Sequence, residues 1–165
     1  MKLGALAILA SLSLIGCAQQ QQVQMQQKFN GKDHDRFLSQ GLGMLTGQAF
    51  LRQQGGGVVT CAGSDVMAMP ATPFFRELVH HMKAGHQIAG IEKVDPKYKP
   101  IIQRSQCDAQ GNFSFDNLVA GYWLVVTTVQ WKVGSSRQGG ELVKEVLVSE
   151  EDAKHVLLTD QDRAY

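Results

Sequence analysis

At 165 residues the chain has room for one domain plus appendages. Apolar residues make up 44% of it, the level of an ordinary packed protein. The 16 Lys and Arg against 15 Asp and Glu form no basic cluster able to displace counterions from phosphates, which argues against nucleic-acid binding.

Met1-Lys2 opens the chain with a positive charge, and Leu3 to Ile15 follow as an apolar run broken by Gly4, Ser11 and Ser13. Such a run matches the core of a signal peptide and falls short of the roughly 20 residues needed to span a bilayer. It ends in Leu14-Ile15-Gly16-Cys17, which resembles the bacterial lipobox: aliphatic, tolerant, small, cysteine. The resemblance implies diacylglycerol on the Cys17 thiol, cleavage before it and acylation of the new amine. Residues 1–16 are then a signal peptide, and loss of Lys2 leaves 15 charges of each sign. Several acyl chains on one residue anchor firmly, since each buried methylene contributes about 0.8 kcal/mol. Ala18, not Asp, follows the cysteine; by resemblance to enterobacterial sorting rules this implies a lipid-anchored protein of the outer membrane, facing the periplasm.

Gln19 to Gln27 is glutamine except for Val23 and Met25, and the chain stays polar to about Gln40. So polar a stretch offers little apolar surface to offset its ordering entropy. Residues 17–40 read as the lipidated cysteine and a flexible tether with a span of roughly 25 Å, in which Phe37 and Leu38 could begin a short helix.

From residue 41 to 165 the pattern changes to short β-branched and aromatic runs set between glycines and polar turns. Leu45 to Arg52 reads as a strand, Gly55-Gly56-Gly57 as a turn, then Val58 to Thr60 and Asp65 to Met69 as strands. A helix is expected next: Thr72 as its cap, Pro73 in its first turn, Gly85 at its end. Phe74, Phe75, Leu78, Val79 and Met82 give it one apolar face. Residues 85–100 read as a long surface loop. Ile101 to Cys107 is the next strand, followed by a turn at Gln110-Gly111-Asn112 and the alternating Phe113-Ser114-Phe115. The longest strand, Tyr122 to Val133, places Trp123, Val125, Thr127, Val129, Trp131 and Val133 on one face. Tyr122, Leu124 and Val126 make the opposite face apolar at its start. Leu142 to Val148 pairs with it across an exposed loop, Gly134 to Gly140, in which Arg137 is a candidate partner contact. Val156 to Leu158 closes the sheet.

The segment from Gly111 to Trp123, with Gly121-Tyr122-Trp123 at its end, resembles the signature of carboxypeptidase-regulatory-like domains. Gly47-Gln48-Ala49-Phe50, Cys61-Ala62-Gly63 and Met69-Pro70-Ala71-Thr72-Pro73 resemble the opening strands of bacterial members. The likeness covers about residues 45–159. It implies a mainly β fold, a single transthyretin-like antiparallel β-sandwich of about seven strands with one short helix. Many relatives carry a residue between the glycine and the tyrosine; its absence at Gly121-Tyr122 points to a local register change. Members of that family are usually accessory or binding modules, so the likeness speaks for fold and little for activity.

With Cys17 lipidated, Cys61 and Cys107 remain, and in an oxidising compartment they are expected to pair. No histidine adjoins Cys61, which argues against a thiol nucleophile. His80, His81 and His86 lack the spacing of a zinc site and read as solvated helix-end residues, so no metal or cofactor is expected. Ser64-Asp65 after Gly63 is a turn and not a nucleophile elbow; Gly55 to Gly57 and Gly139-Gly140 are turn glycines and not phosphate cradles. No nucleophile, base and orienting group assemble, so an enzyme is not expected. The first reading is a membrane-anchored, non-enzymatic envelope lipoprotein that binds or scaffolds another component, with a protein partner in the envelope. The rivals are an accessory lipoprotein of a secretion system or surface appendage, and an inhibitor or immunity protein of a periplasmic enzyme or toxin.

Overall fold

A computed structural model describes residues 22–89, 96–151 and 153–164; the signal segment and Cys17 lie outside the described residues. In chain order come β1 (Gln22–Gln24), α1 (Gly31–His34) with a 3-10 turn at Asp35–Leu38, β2 (Gly43–Arg52), β3 (Val58–Thr60) and β4 (Asp65–Pro70). Next are α2 (Pro73–Lys83), β5 (Gln87–Ala89), a 3-10 turn at Pro96–Ile101, and β6 (Gln103–Gln106). The last strands are β7 (Asn112–Leu118), β8 (Gly121–Val133), β9 (Ser136–Val148) and β10 (Lys154–Leu158), before a 3-10 turn at Asp160–Asp162. The chain is mainly β, as the alternating sequence pattern requires. No helix among the described residues is long and apolar enough to cross a membrane.

Two sheets form a sandwich. In one, β2 lies between β10 on one edge and, on the other, β7 along its first half and β3 along its second. The other has the order β6-β4-β8-β9. Alternation buries Leu45, Ala49 and Leu51 of β2 and Phe113 and Phe115 of β7. From the facing sheet come Trp123, Val125 and Val129 of β8 and Leu142, Val146 and Val148 of β9, giving an apolar interior of the kind that drives folding. The Trp123 indole N–H donates to the Val119 carbonyl at 2.9 Å, so the largest core side chain leaves no buried donor unpaired.

Helix α2 is capped by Thr72, whose hydroxyl accepts the Phe75 N–H, and has Pro73 in its first turn, as expected. Its buried face is Phe74, Phe75, Leu78 and Val79. Arg76 reaches Glu145 through two hydrogen bonds of 2.9 and 2.7 Å. Glu145 stands opposite Leu124 in the β8–β9 ladder, which puts the helix over the outer face of that sheet. Leu124 and Val126 are therefore covered on a second side and buried, whereas Tyr122, expected with them, is 52% exposed. The cover begins two ladder pairs further along the strand.

Several expectations are corrected. The tether does not run to residue 40: Phe37 and His34 are buried and Phe29 packs against the core. Phe29 stacks on His34 at 4.2 Å and lies 4.7 Å from the Tyr98 ring, while Phe37 meets Trp123 edge-on at 5.4 Å. A few aromatics suffice to dock a polar stretch once a folded surface offers them pockets. Only residues 18–21 of that expected tether lie outside the described part. The loop over 85–100 also carries structure at both ends: β5 pairs in parallel with β1, and Tyr98 and Ile101 are buried. Residues 90–95 lie outside the described part. Ile101 closes a 3-10 turn instead of starting a strand: the Ile102 N–H donates back to the Lys99 carbonyl at 3.2 Å, and β6 begins only at Gln103.

The loop expected over Gly134 to Gly140 is strand. Ser136 through Gly140 pair residue by residue with Val133 through Val129, leaving a turn at Gly134-Ser135 with Gly134 at φ +59°. The ladder from Gly121↔Val148 onward is continuous, so no register change occurs at Gly121-Tyr122. The irregularity lies between β2 and β7, at Gly43/Leu45. One pairing departs from an antiparallel sandwich: β10 lies parallel to β2. The described residues also hold ten strands, eight of them in the sandwich and two in the small β1–β5 pair.

Candidate functional site

The residues singled out in the sequence fall in three places. Cys61 and Cys107 are joined by a disulfide with Cα atoms 5.8 Å apart. It ties the β3–β4 connection to the β6–β7 connection. The Gly63-Ser64-Asp65 segment beside it is a turn, as expected, with the Ser64 N–H donating to the Cys61 carbonyl at 2.7 Å. No hydroxyl there is held by a base.

The histidines are less solvated than their position suggested. His80 is exposed, but His81 and His86 are half-buried and face each other through Nδ1 atoms 3.3 Å apart. His81 Nε2 lies 3.4 Å from Glu77 Oε1. Burial pushes the Glu77 carboxyl up, yet the N–H groups of Gln26 and Gln27 and the His81 ring outweigh this and hold it low. This cluster therefore fastens the N-terminal arm to α2. No group of three His, Cys, Asp or Glu suited to a metal occurs among the described residues.

The third place is the open end of the sandwich. At the last buried pair of inner-face residues, Leu51 on β2 and Val129 on β8, both hairpins run on past the core. One supplies the turn after Arg52, closed by the Gln53 N–H on the Gly57 carbonyl at 2.8 Å. The other supplies Trp131 to Gly139. Between the tips lies a cleft of about 660 Å³, lined among others by Arg52, Gln53, Trp131, Arg137, Gln138 and Arg163. That volume falls within the range of small-molecule sites.

Each lining residue has a local reason for its place. Trp131 shares the strand face of Val125 and Val129, but the opposing sheet has ended at its level, so the indole is half-buried at the mouth. Gln138 stands directly opposite it in the ladder. Arg163 is carried in by the C-terminal segment, which bridges to Leu142 and whose Ala164 N–H donates to the Glu141 carbonyl at 2.8 Å. The nearby carboxylate is Asp160, which accepts the Arg52 backbone N–H at 3.2 Å and lies 4.0 Å from Arg163 Nε. Nε of Arg163 is shut off from water and has no hydrogen-bond partner among the described residues. The cleft thus offers an aromatic face beside planar amide and guanidinium donors.

A second, smaller hollow of about 440 Å³ lies on the other face of β8, lined by Thr60, Ser64, Asp65, Thr128, Gln130 and Glu141 among others. Burial raises the Glu141 carboxyl above its ordinary value, and Lys83 opposes this only in part. This hollow has hydroxyls and carboxylates but no aromatic side chain.

The sequence pattern puts Trp131 on one strand face with Val125 and Val129 and singles out only Arg137 at this end. A signal was present: Arg52-Gln53-Gln54-Gly55-Gly56 and Arg137-Gln138-Gly139-Gly140 repeat one composition. The fold brings both repeats to the same cleft. The Gly139-Gly140 pair is not a turn, though Gly139, at φ +102°, takes a conformation that favours glycine.

No family model and no curated protein matches the chain. Among solved structures, a candidate carbohydrate-binding protein from Pseudomonas aeruginosa is 22% identical, with a TM-score of 0.64 over 81% of this chain and 98% of its own. The pilus backbone protein of Streptococcus pneumoniae is 15% identical, with a TM-score of 0.32 over 70% of this chain and 39% of its own. The likeness to the Pseudomonas protein is one of fold: this chain is a β-sandwich of the same general architecture.

Proposed function

We propose that this protein is a lipid-anchored, non-enzymatic module of the bacterial envelope that binds a glycan in the cleft at the end of its sandwich. One observation carries the reading. A half-buried indole, Trp131, lies among planar polar side chains, Gln53, Gln138 and three arginines, in a cleft of about 660 Å³. The apolar face of a sugar ring packs on an indole, and its hydroxyls both donate and accept, matching amides and guanidinium groups at the rim. The Pseudomonas structure named for carbohydrate binding is consistent with the same use of the fold. The lipobox-like Leu14-Ile15-Gly16-Cys17 supplies the anchor in this reading. Five residue steps from Cys17 to Gln22 reach at most about 18 Å, so the domain would work close to its membrane.

The test is a glycan panel probed with the full-length protein in neutral detergent, repeated with Trp131→Ala. Binding to one class of glycan, weakened at least about tenfold by the substitution, is expected for a loss near 1.4 kcal/mol. A silent panel, or binding indifferent to Trp131, would overturn the assignment.

A further inference from the structure

Resting on the glycan reading, we infer that the sugar taken by the end cleft is acidic: a carboxylate-bearing, uronate-type oligosaccharide. Arg52, Arg137 and Arg163 line this one cleft, within a mature chain that the lipobox reading leaves with equal numbers of each charge. Neither the Arg52 nor the Arg137 guanidinium has an ion pair or hydrogen bond among the described residues. Guanidinium groups without a partner at one cleft are placed to meet an anion seated between the tips.

The neighbouring carboxylate does not fill this role. Asp160 is committed to the Arg52 backbone N–H, and its 4.0 Å separation from Arg163 Nε leaves that nitrogen without an acceptor, although it is closed to water. A guanidinium presents its donors in a flat fork that fits the two oxygens of a carboxylate. The indole and the Gln53 and Gln138 amides then read the ring that bears the acid. A bare anion would use the arginines and leave Trp131 idle. An uncharged sugar would do the reverse.

The experiment compares trigalacturonic acid with its methyl ester, the same sugar with its charge removed, titrated into the full-length protein in neutral detergent at low salt. Calorimetry gives the affinity and tryptophan fluorescence locates it, because Trp123 is fully buried and Trp131 is not. The acid is expected to bind at least about tenfold tighter than the ester, a preference that added salt shrinks. Arg52→Gln with Arg137→Gln should abolish the preference. Arg104→Gln, which removes an exposed charge on β6 away from the cleft, should preserve it. Melting temperatures of all variants verify that they remain folded. An acid that binds no better than the ester overturns the inference and leaves the glycan reading to its own panel. Equal displacement by inorganic phosphate or polyglutamate also overturns it, since the cleft would then read charge and no sugar. If the glycan panel is itself silent, both readings fall together.

Discussion

Thr72 does two jobs with one oxygen. Its hydroxyl accepts the Phe75 N–H at the start of α2 and lies 2.9 Å from Nε2 of His34. Nδ1 of that ring donates to the Asn30 carbonyl at 2.6 Å. His34 is only 1% exposed, so losing this partner leaves a buried polar atom unpaired. Thr72→Val should cost about 2 kcal/mol, from the cap and the stranded histidine together, and Thr72→Ser should recover most of it; urea denaturation measures both. Gly47 has a different constraint. A Cβ there would strike the Phe113 ring and approach the Val156 carbonyl to 2.7 Å, whereas at Gly55 it would meet nothing. Gly47→Ala should lower stability by about 1–3 kcal/mol. Gly55→Ala should stay within about 0.5 kcal/mol of the parent. Equal effects at the two sites would contradict the packing described for β2.

At the scale of elements, the N-terminal arm is held to the sandwich by aromatics and by two carboxylates. Glu77 accepts the N–H groups of Gln26 and Gln27 at 2.7 and 2.6 Å. Asp35 accepts the Tyr98 hydroxyl at 2.9 Å and Lys97 at 3.2 Å, and these partners hold its carboxyl low. Both groups thus have a folded value below their unfolded one. Their contribution is complete above about pH 4, the ordinary carboxylate range, and fades as acid protonates them. The arm should loosen before the sandwich does on acidification, seen as early hydrogen exchange at Gln26 and Gln27. Glu77→Ala should expose the same two amides at neutral pH; protection unchanged by the substitution would refute the clamp. Edge protection is built in as well. Lys144 lies on the inner face of β9, and its ammonium reaches the Leu157 carbonyl at 2.9 Å and Asp162 at 3.2 Å. An inward lysine discourages edge-to-edge pairing of strands.

For the whole molecule, the disulfide and the proposed anchor matter most. Cys61 and Cys107 are 46 residues apart, and closing a loop of that size stabilises by about 4 kcal/mol in the chain-entropy model. Reduction should lower the unfolding free energy by up to that amount, and the double Cys61→Ala, Cys107→Ala variant should match the reduced protein in urea titrations. The proposed anchor makes a separate prediction. Cys17→Ser should release the protein from membranes while leaving the sandwich folded, read by fractionation and circular dichroism. Retention in the envelope after that change would remove the basis for the lipid attachment.

Strand positions, the capped helix and the pairing of the last two cysteines could be read from the chain, because a period of two, a Thr-Pro start and a count of thiols are local properties. Phe113 and Phe115 declare their inward face without knowledge of what they meet. Trp131 has the same alternation, and nothing nearby in sequence says that the opposite sheet stops before it. The docking of Phe29, His34 and Phe37 was equally hidden, since so polar a stretch becomes ordered only when α2 and Tyr98 present a surface to it. The end cleft needs the β8–β9 register, the stacking of two sheets and the return of the C-terminal segment with Arg163 to converge. The last two join residues far apart along the chain, so only the tertiary structure could decide that three arginines and an indole share one site.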